Sequence, residues 1–188
     1  MPASSDQEAL DSAVGAIERL RPWMRAGSQA PHKPLLLLIA LRRVAEGRPR
    51  LVSFPEVEPE LRELIGQFSN VESPANAGYP FWRLQTDGLW EVESANTFPT
   101  RSSNNDPPLR SLRDRPARGG FPPQLYAALR AEPAELTRLV NLVAGRFFAP
   151  GDEVLRVVGM PAECGGGGGE HEKRLGRVAS AEERDIEM

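Results

Sequence analysis

One cysteine, Cys164, stands alone in 188 residues, so the chain holds neither an internal disulfide framework nor a cysteine-built zinc site. The lack of disulfides fits a reducing cytoplasm, the expected compartment. No apolar stretch approaches the roughly 20 residues that span a bilayer. The longest, Leu35 to Leu41, ends in Arg42-Arg43 and reads as a buried helix. The start, Met1 to Asp11, is polar and acidic and does not resemble a signal peptide. There are only two histidines, and His171 lies in a glycine-rich tail that cannot hold it rigidly. Gly165 to Gly169 follows no strand and opens no helix, so it is not a phosphate-binding loop. No positioned nucleophile, base or metal set emerges. The chain is therefore expected to be a binding module without cofactor, metal or catalysis of its own.

The net charge of −3 speaks against nucleic acid, but the charge is unevenly spread. Residues 21–50 carry seven bases and one acid, and residues 101–130 carry six and two. Residues 51–100 carry two bases and eight acids. Two basic blocks on an acidic chain are compatible with a local phosphate-binding face. They are equally compatible with arginines scattered over a solvated surface. Glu56, Glu58, Glu60 and Glu63 cluster at a predicted helix start, where the helix dipole favours acids.

Apolar periodicity predicts helices over Gln7–Leu20, from Lys33 or Pro34 to Ala45, over Pro55–Phe68, Pro122–Arg130 and Pro133–Phe148. Met24–Ala30 and Ser69–Gly78 read as loops, and Leu51–Phe54 as a short strand. Phe81–Gln85 and Leu89–Glu93 alternate apolar and polar residues around Thr86-Asp87-Gly88, which predicts a β-hairpin. In that strand Phe81 and Arg83 would share one face and Trp82 and Leu84 the other, with Tyr79 in the loop before it. Ala95–Gly120, with four prolines, reads as a long basic loop with one helical turn near Leu109–Leu112. A last short element is expected over Val154–Val158. The fold expected is α+β: one mainly helical domain over residues 1–160 with a small antiparallel hairpin or sheet. Residues 161–188 form a flexible Gly-rich tail.

Two segments carry chemistry. Ala30-Pro31-His32-Lys33-Pro34 is a polar corner on the N-terminus of the most buried helix. Helix N-termini attract anions, and Lys33 there is unfavourable unless an anion arrives. The bland alternative is that His32 caps the helix and Lys33 points into water. In Gly78-Tyr79-Pro80-Phe81-Trp82-Arg83, three aromatic residues fall within four positions. Trp82 and Trp90 read as core, and Tyr79 as presented outward.

In order and spacing these segments resemble the sulfur-binding domain of McrA-type, phosphorothioate-dependent (type IV) restriction endonucleases, over roughly residues 5–150. The resemblance implies binding of double-stranded DNA carrying a phosphorothioate backbone group. It implies a shallow sulfur pocket built from Pro31, His32, Lys33 and Tyr79. Where a family member has arginine at the third pocket position this chain has Lys33, which lacks the bidentate fork. Arg101, Ser102, Ser103 and Asn104 would form the basic loop that reaches base edges, with Arg25, Ser28 and Pro80 as further phosphate or base contacts. A related layout occurs in domains fused to HNH nucleases, so a nuclease domain is expected to follow in the full protein. The competing class is a helical protein-interaction or ligand-binding module with no DNA role.

Overall fold

The computed structural model describes residues 5–21, 23–25, 28–69, 76–101, 105–150 and 153–164. Helix α1 (Ser5–Arg19) buries Leu10, Ala13 and Ile17 at three- and four-residue steps. Two short strands follow, β1 (Trp23–Arg25) and β2 (Ser28–Ala30). They pair antiparallel with Trp23 opposite Ala30 and Arg25 opposite Ser28. Sequence reading makes this segment a loop. Its strands are too short to show alternation, but two residues separate them, the connection length of the commonest hairpins.

Helix α2 (His32–Ala45) buries every residue from Pro34 to Leu41. Its chain leaves the helix through Gly47, in the left-handed region at φ 71°. Strand β3 (Val52–Ser53) runs directly into helix α3 (Phe54–Phe68). Helix α4 (Gly78–Arg83) continues into a 3-10 turn, Leu84–Asp87. Then come strand β4 (Glu91–Val92), helix α5 (Leu109–Asp114) and strand β5 (Arg118–Gly120). Helices α6 (Pro123–Ala131), α7 (Pro133–Phe147) and α8 (Val154–Val157) complete the helical body. Helix α2 lies at the centre, packed against α3, α4, α6 and α7, while α1 lies on α6 and α7. The expected mainly helical α+β architecture is what the chain adopts. The body reaches past the expected boundary at residue 160: a 3-10 turn at Ala162–Cys164 packs on α7 and buries Cys164.

The predicted hairpin at Thr86-Asp87-Gly88 is not formed. Residues 78–87 are helical, and Phe81 and Leu84, three apart, are both fully buried. Asn76 starts the helix by accepting the Gly78 N–H on its side-chain oxygen at 3.1 Å. Gly88 ends it at φ 75° with its N–H on the Gln85 carbonyl. Asp-Gly here is a helix stop, a role glycine fills as readily as that of a hairpin turn. The sheet is built elsewhere, in the antiparallel order β3-β5-β4, with Val52 opposite Gly119 and Glu91 opposite Gly120. Its central strand, β5, lies in what the sequence presents as loop, because Arg-Gly-Gly offers no side chains to alternate.

Those glycines are required by close approach. A Cβ on Gly120 would sit 2.0 Å from the Arg50 carbonyl oxygen, and one on Gly119 would sit 2.4 Å from the Trp90 Nε1. Over this sheet Phe54, Phe81, Trp90 and Phe121 form a chain of edge-to-face contacts, with successive centroids 5.1, 5.6 and 6.2 Å apart. Phe81 thereby seats α4 on the sheet.

Two glycine substitutions should move stability in opposite directions. Gly120→Ala is expected to cost about 3 kcal/mol through the clash with backbone. Gly66→Ala, in α3 with nothing within 4 Å of the added carbon, should gain about 0.5–1 kcal/mol. Urea midpoints measure both; a stable Gly120→Ala chain would contradict the tight strand crossing.

Candidate nucleic-acid interface

Strand β2 delivers the chain into the corner ahead of α2. Pro31 takes the N-cap position with φ −80° and ψ 28°, and no side chain caps the helix. Its carbonyl accepts the Leu35 N–H at 2.9 Å. Pro31 is buried and His32 half-buried. His32 is the first helical residue and not the cap, so the bland reading of its role fails. Burial holds its imidazole below the ordinary value of 6.5, because desolvation disfavours the charged ring.

Lys33 neither points into water nor awaits an anion. Its ammonium lies 2.6 Å from the Asp87 carboxylate, with the two side chains 15% and 22% exposed. The local conflict seen in the sequence is resolved by an acid 54 residues further on, brought in by the last residue of the 3-10 turn.

Tyr79 lies on α4, not in a loop, and is half-buried; Pro80 beside it is buried. Helix α4 packs on α2. It also holds residues between β4 and α5: Arg83 pairs with Asp106 at 2.5 Å, and Trp82 meets Phe98 edge-to-face at 6.0 Å. The Arg101 N–H donates to the Asp106 carbonyl and the Asn105 N–H to the Arg101 carbonyl, at 3.0 and 2.9 Å. Asn105 sits in the left-handed region at φ 56°. Arg101 is exposed. Ser102, Ser103 and Asn104 lie outside the described residues. Arg25 is the backbone pairing partner of Ser28 in the β1–β2 pair that leads into the corner.

Sequence reading missed Asp87, Arg83 and Asp106, which join the pieces. Asp87 was absorbed into a turn signal, and Arg83 into a strand face. A helical reading of 78–87 would have placed Tyr79 and Arg83 on one side, four residues apart.

Several bases of the two blocks are spent on the acidic block between them. Arg42 grips Glu60 with two bonds of 2.6 and 2.9 Å, Arg43 meets Glu56 at 2.8 Å, and Arg50 meets Glu91 at 3.1 Å. Arg113 binds Glu58, which is buried, with its Nε at 2.7 Å. Three of the four clustered glutamates therefore serve as arginine partners, a stronger role than the dipole interaction expected of them. Arg21 and Arg101 are exposed and have no carboxylate partner among the described residues. Among those residues no group of three or more His, Cys, Asp or Glu could hold a metal ion, and no helix is long and apolar enough to cross a membrane.

A family model described as ScoMcrA-like, DNA sulfur-binding domain matches residues 10–163. Among solved structures, the sulfur binding domain of ScoMcrA complexed with phosphorothioated DNA is 29% identical. The match covers 78% of this chain and 94% of that one, with a TM-score of 0.71. The type IV phosphorothioation-dependent restriction endonuclease ScoMcrA is 27% identical, with a TM-score of 0.69. That match covers 78% of this chain and only 27% of that one. The sulfur binding domain of SprMcrA complexed with phosphorothioated DNA shares the fold, at 20% identity and a TM-score of 0.70, over 84% of this chain and 98% of that one. No curated protein matches the chain.

His32 makes stability pH-dependent. The unfolded chain takes up the imidazole proton first as pH falls through 6.5. The stability due to the neutral ring is therefore complete above that pH and is lost as pH falls toward and below the depressed folded value. Urea midpoints should drop between about pH 8 and about pH 5. His32→Gln, neutral throughout, should remove part of that drop; identical profiles would show that this ring is not its source.

Proposed function

The chain belongs to the family of ScoMcrA-like DNA sulfur-binding domains, and on that premise we propose how it reads phosphorothioate-modified double-stranded DNA as a targeting module. The observation that carries the reading is the family match across residues 10–163, together with the likeness to a domain solved on phosphorothioated DNA. In this reading the modified backbone group docks where the Pro31-His32-Lys33 corner meets the helix that carries Tyr79. Sulfur in place of a non-bridging oxygen is larger, more polarizable and a poorer hydrogen-bond acceptor. A proline ring, a neutral imidazole and a tyrosine face offer it dispersion contact. An ordinary phosphate oxygen in the same place gives up water without equivalent donors, at roughly 1–3 kcal/mol.

Flanking contacts supply affinity and base preference. Arg25 and Ser28 on the hairpin and Pro80 beside Tyr79 are assigned to the backbone near the modified group. Arg101 with Ser102, Ser103 and Asn104 is assigned to base edges in the major groove, where arginine to guanine is the commonest specific contact. The module has no hydrolytic role of its own and directs a nuclease domain of a modification-dependent restriction endonuclease, of HNH type, in the cytoplasm. Glu56, Glu58, Glu60, Glu91 and Asp106 are engaged by arginines and Asp87 by Lys33, in keeping with a binding role.

Matched duplexes that differ only in one phosphorothioate test the reading by gel shift or fluorescence anisotropy. The modified duplex should bind about 10- to 100-fold more tightly. Tyr79→Ala should reduce that preference more than it reduces binding of the plain duplex. Arg101→Ala should weaken both duplexes together by about 1–3 kcal/mol and relax the base preference at the position it contacts. Equal affinity of the parent chain for both duplexes would end the sulfur assignment.

A further inference from the structure

Lys33 lies in the first turn of α2, where an incoming backbone group would meet both helix N–H groups and an ammonium. That ammonium is already held by Asp87 Oδ2 at 2.6 Å. Both side chains are largely withdrawn from water. Asp87 is held in turn: it ends the 3-10 turn Leu84–Asp87, and Gly88 at φ 75° closes that turn. Helix α4, from which the turn continues, is anchored by Phe81 in the aromatic chain over the sheet. A resident carboxylate thus takes the position toward Lys33 that a DNA phosphate would otherwise take.

The consequence differs for the two backbone groups. A plain phosphate that sheds water needs donors in return, and the Lys33 donors are directed at Asp87. A sulfur atom asks for less donation and draws on contact with the pocket walls. We infer that Asp87 is a selectivity residue: by occupying Lys33 it withholds a cationic contact that would favour ordinary phosphate, and so preserves the preference for sulfur. This rests on the reading that the α2 corner receives the modified group.

The test is a four-member cycle of parent chain, Asp87→Asn, Lys33→Gln and the double variant, each checked for folding by thermal melting. Each is measured on matched plain and phosphorothioated duplexes over a range of salt. Asp87→Asn should raise affinity for the plain duplex about ten-fold, the worth of one charge-assisted hydrogen bond. The modified duplex should gain less. The salt slope on plain DNA should steepen by about 0.9, the mark of one added phosphate contact. The double variant should lose both changes, since the gain runs through Lys33. If Asp87→Asn does not fold, the other pair decides. Lys33→Gln should weaken plain-DNA binding by leaving Asp87 unopposed, and adding Asp87→Asn should restore it. An unchanged slope in Asp87→Asn overturns the inference. So does an equal gain on both duplexes, or a double variant that binds as weakly as Lys33→Gln. A parent chain that binds both duplexes equally instead defeats the sulfur reading itself, while the slopes still report whether Asp87 occupies Lys33.

Discussion

The ion pair between Lys33 and Asp87 ties together two parts of the chain that lie 54 residues apart in sequence. One partner opens α2, the helix whose residues from Pro34 to Leu41 are all buried. The other ends the helical run that begins near Tyr79. Neither backbone is free to drift, because α2 is packed on four other helices and α4 is seated on the sheet through Phe81. The charges meet at low exposure, so salt screens them less than it would a surface pair. Removing one partner would leave the other poorly solvated, which makes the pair a geometric constraint more than a source of net stability.

Pairing also governs what remains to attract a polyanion. Arg42, Arg43, Arg50 and Arg113 face glutamates of α3 or β4, and their positive charge is largely cancelled at close range. Sequence-independent DNA affinity scales with the number of phosphates neutralised. Arginines held in such pairs offer less to a plain phosphate than exposed ones such as Arg21 and Arg101, which have no carboxylate partner among the described residues. For a module that must find a rare backbone modification, weak general binding improves discrimination, since unmodified sites vastly outnumber modified ones.

Much of the fold was legible in the sequence. Helices α1, α2, α3, α6 and α7 emerge within a few residues of their observed limits, because α2 carries a continuous apolar run and the others an apolar stripe whose period is that of a helix. The short strands were not legible. Two- and three-residue strands carry no alternation, and β5 is Arg-Gly-Gly, whose value lies in the side chains it lacks. The charge blocks were visible, but their mutual neutralisation was not, since it depends on α3 lying against α2 and α5. The corner Pro31-His32-Lys33 stood out because a lysine at a helix start offends a local rule. What relieves it, Asp87, is distant in sequence and was hidden in a dipeptide that serves equally as hairpin turn and helix stop.

That ambiguity at Asp87-Gly88 has consequences for how the site is assembled. In an extended strand, Tyr79, Phe81 and Arg83 would project to one face, and Tyr79 would follow Phe81 toward the core. In a helix, Phe81 and Leu84 turn inward at a three-residue step, while Tyr79 and Arg83 stay half-exposed four residues apart. One short helical run can then make three connections at once. Phe81 fixes it to the sheet, Arg83 holds Asp106, whose carbonyl accepts the Arg101 N–H, and Asp87 reaches back to Lys33. A strand of the same residues could make the first of these connections but not the other two. The helical form of residues 78–87 thus couples the α2 corner to Arg101 and Asp106, which lie between β4 and α5.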